Sequence, residues 1–214
     1  MRSIVICLLI FLPFSLFAQK DAKAKEYLDK SSNAFAQAGA LSAVFTMNIK
    51  DVSNNISQGF DGTIDLKGAK FRINTPDMEV WFDGKTQWVL QKEWDEVSVT
   101  EPDPKEMQVL NPMTIFSLYK KGFNYKHIGQ KNDAKGRKVQ EVVLTPQEKN
   151  SELSKIVIQI NTVDFMPAKI HLFYKNEIEN IIHINSYKKN VAMPDTNFVF
   201  NKKEHPNVEI NDLR

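Results

Sequence analysis

Alternation of apolar and polar residues with a period of two is the feature that most restricts the fold of this chain. It is clear in "AVFTMNIK" (residues 43–50), "GFDGTIDLKG" (59–68) and "KFRIN" (70–74), and it returns in six segments after residue 122. Because successive side chains of a strand point to opposite faces, these segments predict half-buried β-strands. Turn residues between the segments predict that neighbouring strands are antiparallel.

One helical segment precedes the strands. Residues 21–40 carry apolar and small residues at helical spacing and end near Gly39, which predicts an amphipathic helix. So many consecutive strands, about 10–11, must stack as two sheets or curl into a barrel. The sequence therefore favours a mainly β chain that forms one strongly curved, unclosed antiparallel β-barrel over residues 19–214.

A second helical segment interrupts the strands in "EPDPKEMQVLNPMTIFSLYKKGF". Asp103 with Pro104, and Asn111 with Pro112, are each typical of a helix start, so two short helices are predicted over about 103–121. These helices either contribute to a barrel core or form a lid over an apolar cavity. Their apolar residues are Met107, Leu110, Met113, Ile115, Phe116, Leu118 and Tyr119.

The start of the chain, "MRSIVICLLIFLPFSLFA", has one basic residue, a long apolar run and a final small residue, Ala18. This order predicts a secretory signal peptide over residues 1–18. Cys7 is the chain's single cysteine and lies inside that segment. Residues 19–214 therefore offer no disulfide, no thiolate nucleophile and no cysteine ligand for a metal.

Charge and motifs argue against several classes of function. Without Arg2 the 28 basic side chains become 27, against 26 acidic ones, so no basic surface for nucleic acid is indicated. No sequence motif of a hydrolase, a zinc protease or a phosphate-binding loop is present. His171 and His183 are interpreted as polar positions on amphipathic strands rather than as metal ligands. We therefore expect no enzyme activity, no metal and no cofactor.

The hairpin in "EVWFDGKTQWVLQKEWDEVSV" raises a specific question. Asp83-Gly84 separates two apolar runs. Counting along the chain places Val80, Phe82, Trp88 and Leu90 on one face, whereas Trp81 and Val89 make the other face apolar as well. A sheet with two apolar faces must bury the second face against another part of the molecule.

Several segments together resemble a known family. They are "GTIDLKGAKFRINTP", "FDGKTQWVL", "NPMTIF", "VVLTPQEKNSELSKIVIQIN" and "FVFNKKEHPNVEINDL", which occur in the same order as in the periplasmic outer-membrane lipoprotein carrier family, LolA. The resemblance implies an unclosed barrel whose N-terminal and mid-chain helices cover an apolar cavity. It also implies a monomeric periplasmic carrier that receives acylated lipoproteins from an inner-membrane ABC lipoprotein-releasing transporter.

The resemblance further implies one lipid-binding position, Phe71, which matches a phenylalanine at the cavity rim of the family. With the apolar positions of the first five strands added, the expected cavity lining is Phe45, Met47, Phe60, Ile64, Leu66, Phe71, Ile73, Val80, Phe82, Trp88 and Leu90. The chain departs from the family where an arginine that closes the lid would stand, because Lys67 is followed by Gly68-Ala69. The resemblance therefore assigns no outer-membrane acceptor to this chain. A carrier of another lipid (a glycolipid or pigment precursor), a lipid sensor or scaffold, and an esterase are the alternatives.

Overall fold

The computed structural model describes residues 21–103 and 119–214 as one α-helix, twelve β-strands and a short 3₁₀ helix (Asp195–Phe198). The helix α1 spans Ala22–Gln37. The strands are β1 Leu41–Asp51, β2 Ile56–Lys67, β3 Lys70–Asn74, β4 Met78–Phe82, β5 Gln87–Gln91, β6 Glu96–Thr100, β7 Phe123–Asn132, β8 Lys138–Pro146, β9 Leu153–Asn161, β10 Pro167–Tyr174, β11 Ile178–Lys189 and β12 Glu209–Asp212.

All twelve strands belong to one sheet with the order β12-β6-β5-β4-β3-β2-β1-β11-β10-β9-β8-β7. The long strands β1, β2 and β11 form its middle, while β12 and β7 are its two edges. The sheet is therefore unclosed, which confirms the mainly β architecture predicted from the alternation. Residues 101–122 connect β6, next to one edge, with β7 at the other edge.

Two predictions about the end of the chain are wrong. The last of the six alternating segments after residue 122, "TNFVFN" (196–201), is predicted to be a strand, but Asp195–Phe198 form the 3₁₀ helix, which follows Pro194 and buries Phe198. The last strand, β12, pairs with β6 in parallel, so the sheet is not wholly antiparallel. All four residues of β12 are exposed, and no apolar alternation marks this strand in the sequence.

The helix α1 packs on one face of the sheet. Asp21 caps its start, because the Asp21 carboxylate accepts hydrogen bonds from Lys23 N at 2.8 Å and Ala24 N at 3.1 Å. Leu28 and Phe35 on the buried side of α1 belong to the same apolar core as the sheet residues of that face. At the far end of the long connection, Tyr119 donates its hydroxyl to Asp29 at 2.7 Å.

Two predicted segments lie outside the described residues. They are the signal peptide at residues 1–18 and most of the lid, since residues 104–118 are not described. Within residues 21–103 and 119–214, no helix combines the length and the apolar character needed to cross a bilayer.

Candidate binding cavity

A cavity of about 230 Å³ lies between α1 and the middle of the sheet. Almost all the described side chains around it are apolar. They are Phe35, Leu41, Ala43, Phe45, Met47, Phe60, Ile64, Leu66, Ile73, Thr75, Met78, Pro167, Ile170, Ile182, Ile184 and Tyr187.

The polar groups at this cavity are already satisfied. Tyr187 donates its hydroxyl to the carbonyl oxygen of Pro167 at 2.8 Å, and burial raises the pKa of Tyr187 well above its usual value. Thr75 donates its hydroxyl to the carbonyl oxygen of Met78 at 3.1 Å. A ligand in this cavity would therefore be held by apolar contact rather than by hydrogen bonds.

The register of the middle strands positions the lining residues. On β1, Phe45 lies opposite Gly62 of β2, and Met47 lies opposite Ile182 of β11 and Phe60 of β2. Gly62 is required at its position, because a Cβ atom added there would lie 2.5 Å from the Phe45 ring. The absence of a side chain at residue 62 thus lets the Phe45 ring lie across β2 and form one wall of the cavity.

The structure divides the predicted cavity residues into three groups. Six of them line the cavity: Phe45, Met47, Phe60, Ile64, Leu66 and Ile73. Phe71, Val80 and Phe82 are buried in the same core without lining the cavity, and the Phe71 and Phe82 rings stack with centroids 5.2 Å apart. Trp88 and Leu90 lie on the other face of the sheet. That six of these residues bind lipid stays a prediction.

The placement of Trp88 and Leu90 corrects the hairpin prediction. The loop between β4 and β5 contains an even number of residues, 83–86, so Trp81 lies opposite Trp88 and Val80 lies opposite Val89. Opposite residues of an antiparallel pair share a face, and Val89 therefore faces the core beneath the cavity. Counting odd and even positions straight through the turn exchanges the two sides of β5.

The outer face of β4–β6 is covered by the C-terminal part of the chain. Trp81, Leu90 and Val97 form a second apolar cluster with Val208, and Phe200 packs against it. The Trp81 and Phe200 rings meet edge to face at 5.4 Å. The expectation that Trp81 packs against another part of the molecule is therefore confirmed, whereas the same expectation for Val89 is wrong.

The turn between β2 and β3 holds this C-terminal cover. Lys67 Nζ donates to the carbonyl oxygen of Met193 at 2.8 Å and to Asp195 at 2.7 Å, and Lys70 Nζ donates to Asp195 at 2.6 Å. These hydrogen bonds from Lys67 and Lys70 lower the pKa of Asp195 to about 2. The sequence departure at Gly68-Ala69 thus lies in a turn whose flanking lysines bind the C-terminal segment.

Arg72 lies on the outer face as well. It donates to the buried Glu79 carboxylate at 2.5 Å and lies over the Trp81 ring, 5.6 Å from its centroid. On β3 its cross-strand neighbour is Trp81, whereas that of Phe71 is Phe82. Arg72 and Phe71 therefore point to opposite sides of their strand, as the alternation predicts.

The histidines do not form a metal site in the described part of the chain. His183 lies opposite Lys169, and His171 lies opposite Ile181, so the two histidines are not direct neighbours. His171 instead forms a 2.9 Å hydrogen bond with Glu179, and burial lowers the pKa of His171. Within residues 21–103 and 119–214, no three potential ligands from His, Cys, Asp and Glu are grouped around one point.

Sequence reasoning missed ten of the sixteen described lining residues, including all those of β10 and β11. Ile170, Ile182, Ile184 and Tyr187 come from β10 and β11, which the alternation predicts as strands without assigning them to the cavity. These two strands carry the same alternation of apolar and polar residues as β1. What the sequence does not show is that β11 pairs with β1, a contact between residues more than 120 positions apart.

Comparison with known proteins finds a matching family and solved structures with a similar fold. A family model described as outer membrane lipoprotein carrier protein LolA matches residues 14–175. No curated protein matches the chain. Among solved structures, an uncharacterised conserved protein from Thermus thermophilus has a TM-score of 0.60 at 9% identity, covering 89% of this chain and 99% of the other.

Two further structures share the fold. LprF from Mycobacterium bovis has a TM-score of 0.51 at 14% identity, covering 82% of this chain and 97% of the other. A chain from the Pseudomonas aeruginosa MucA/MucB complex has a TM-score of 0.52 at 16% identity, covering 85% of this chain and 62% of the other. At such low identities these likenesses concern the fold alone.

Proposed function

The chain belongs to the outer membrane lipoprotein carrier protein LolA family, and from this premise we propose that its cavity binds the acyl chains of lipoproteins. In this proposal the protein is a monomeric periplasmic carrier. It receives acylated lipoproteins from an inner-membrane ABC lipoprotein-releasing transporter and carries them toward the outer membrane. No reaction is part of this function, which requires binding and release alone.

The apolar cavity is the observation that supports this proposal most directly. Burying one methylene group contributes about 0.8 kcal/mol, so a fully buried sixteen-carbon chain would contribute roughly 12 kcal/mol. The cavity volume of about 230 Å³ is below the range of about 300–1,000 Å³ that is usual for small-molecule sites. A long acyl chain would therefore be buried in part unless the cavity widens, and partial burial favours release.

The position of the long connection supports a lid. Residues 101–122 join strands from opposite ends of an unclosed sheet. In this proposal the helices predicted over 103–121 cover the cavity and leave it when cargo enters. The turn at Gly68-Ala69 lacks the arginine that the resemblance implies for closing such a lid. We therefore propose that apolar contact holds the lid, and we assign no outer-membrane acceptor.

Two alternatives keep the same cavity. An apolar lining binds acyl chains without distinguishing between headgroups, so a glycolipid or a pigment precursor could occupy the same cavity. A sensor or scaffold role is favoured by one observation, the shared fold with a chain from the MucA/MucB complex, in which one protein is bound to another.

Identification of the natural cargo tests the proposal. The protein is isolated gently from periplasm, measured by native mass spectrometry, and then extracted with organic solvent. A bound lipoprotein or its triacylated lipid supports the proposed carrier. A glycolipid or pigment precursor would replace the cargo, and a protein that is empty and ignores added lipopeptide would favour the sensor or scaffold.

A matched pair of variants on β1 tests the site. Met47→Glu places a carboxylate on the cavity wall, and we expect it to weaken binding of a fluorescent triacylated lipopeptide by at least about tenfold, because desolvating a charge is unfavourable. Val44→Glu is the control, since Val44 is exposed on the opposite face of the same strand. Equal binding by both variants would contradict the placement of cargo in this cavity.

A further inference from the structure

A second pocket, of about 260 Å³, lies at the outer side of β10 and β11, next to the turn between β7 and β8. Among the described residues its lining shares Ile184 alone with the apolar cavity, and it contains several ionisable side chains. They are Lys131, Asp133, Lys135, Arg137, Lys169 and His183.

Two of the four cations in this pocket are neutralised by nearby carboxylates. Lys131 forms an ion pair with Glu141, and Arg137 forms one with Asp133 at 2.7 Å. Both carboxylates have further partners, since Gln159 donates to Glu141 at 3.0 Å and the backbone N–H of Lys135 donates to Asp133 at 2.9 Å. Both carboxylates are therefore already engaged by a cation and by a second donor.

The other two cations have no carboxylate partner in the described part of the chain. Lys135 Nζ contacts neutral oxygens of Asn185, at 3.3 Å from the backbone oxygen and 3.2 Å from Oδ1. The Lys169 ammonium group has neither a hydrogen bond nor an ion pair within residues 21–103 and 119–214. Lys169 lies between Gln159 of β9 and His183 of β11 in the sheet register.

The surroundings of Lys169 disfavour its positive charge. Burial and the neighbouring Lys131 lower the pKa of Lys169, although Glu141 and Glu179 act in the opposite direction. Burial, Lys169 and Lys135 likewise lower the pKa of His183. A half-buried ammonium group among other cations is stabilised when an anion enters the same pocket.

We propose that this pocket binds a phosphate-class oxyanion through Lys169, Lys135 and His183. Lysine binds phosphate as a point charge from any direction, and a tetrahedral phosphate can accept hydrogen bonds from donors on different strands. A planar carboxylate is best matched by the arginine fork, but the Arg137 guanidinium is already bonded to Asp133. The oxyanion is either free phosphate or the phosphate group of a lipid headgroup.

This site is independent of the acyl-binding function proposed above. Lys169 and His183 alternate with Ile170 and Ile182, which line the apolar cavity from the other side of the sheet and do not line this pocket. A side-chain change at Lys169 therefore leaves the cavity wall in place. Failure of phosphate binding and failure of acyl binding are consequently separate results.

Titration with inorganic phosphate at constant ionic strength tests the proposal. We expect saturable binding by calorimetry, together with a shift of the His183 ring signals in the NMR spectrum. Lys169→Gln should weaken binding by about tenfold or more, which is the effect of losing a hydrogen bond to a charged group. Lys203→Gln changes an exposed lysine outside the pocket and should bind phosphate like the wild type.

Vesicles distinguish the two sources of the anion. If the headgroup is the natural ligand, phosphatidylcholine vesicles that contain phosphatidylglycerol should sediment the wild type and not Lys169→Gln. If free phosphate is the ligand, both proteins should stay in solution with the vesicles, and the variant should still bind phosphate more weakly than the wild type. The proposal is overturned if neither probe binds at millimolar phosphate, or if Lys169→Gln binds as the wild type does. Unchanged thermal unfolding of the variant excludes misfolding as the cause of a loss.

Discussion

The cavity face of the sheet and the outer face of β4–β6 are both apolar, yet they are closed in different ways. On the cavity face, α1 packs over the middle strands and leaves a space of about 230 Å³. On the outer face of β4–β6, the C-terminal segment buries Val208 and packs Phe200 against Trp81. Apolar surface alone therefore does not distinguish a binding site from a core. The distinction is whether the chain itself fills the space in front of that surface.

The covers differ in their sequence as well as in their packing. The outer cover supplies aromatic side chains that meet Trp81 directly, and it is attached by hydrogen bonds from Lys67 and Lys70 to Asp195. The described cover of the cavity is one face of α1, of which Phe35 reaches the cavity wall. Substitutions on the outer face should consequently affect stability, and those on the cavity face should affect binding.

The largest effect is expected from Trp81→Ala. Removing this side chain leaves a void in a filled cluster, and such truncations lower the free energy of unfolding by about 3–5 kcal/mol. The measurement is urea denaturation, with Trp94→Ala as the control, since Trp94 is 68% exposed. We expect the control to differ from the wild type by less than about 0.5 kcal/mol. Equal losses in both variants would show that the outer cluster is not a filled core.

Two substitutions that enlarge a side chain, one on each face, test the difference between the faces more directly. Val97→Phe adds volume to the filled outer cluster and should lower the free energy of unfolding by about 1–3 kcal/mol, with acyl binding retained by the folded protein. Ala43→Phe adds volume to the wall of the cavity, where space exists, so its stability should change by less than about 1 kcal/mol.

The same pair predicts opposite results for binding. Ala43→Phe should weaken lipopeptide binding by at least about tenfold, because its ring occupies space that an acyl chain would use. Lipopeptide titration followed by urea denaturation of the same samples provides both quantities. Loss of stability in Ala43→Phe without loss of binding would contradict the difference between the faces.

The smallest effect is expected from Asp195→Asn, which removes the two ion pairs of the outer cover with Lys67 and Lys70. Because the pKa of Asp195 falls from 3.8 to about 2 on folding, its ionised form stabilises the protein above pH 3.8, and that contribution is lost as the pH falls toward about 2. Wild-type stability should therefore fall more steeply than that of the variant in this interval. The exposed position of Asp195 keeps the difference small. Parallel acid titrations of the two proteins, followed by circular dichroism, measure it.

Much of the fold was predictable because strand signals are local. The alternation of Phe45 and Met47 and the helical spacing after Asp21 placed β1 and α1 correctly, and the family assignment is confirmed. The register of β4 and β5 was not predicted correctly, because it depends on how many loop residues lie outside the hydrogen-bonded pairs. Asp83-Gly84 alone does not specify that number. One residue of difference exchanges the faces of a whole strand.

The candidate site was predictable on one side only. Residues of β1–β3 were identified because the first strands follow each other both in sequence and in the sheet. Ile182 and Ile184 were missed because β11 joins β1 over a long stretch of chain, and no local pattern specifies such a partner. The parallel strand β12 was missed for a related reason, since its four exposed residues carry no apolar signal.

The order of the chain has a consequence for biogenesis. The residues that cover the outer face of β4–β6 lie at positions 200–208, about a hundred positions after the strands they protect. A chain that crosses a membrane from its N-terminus therefore delivers Trp81, Leu90 and Val97 to the far side well before Phe200 and Val208 arrive. In a carrier exported as proposed above, the apolar outer face of β4–β6 would stay exposed during that interval, and such a surface is of the kind that holdase chaperones bind.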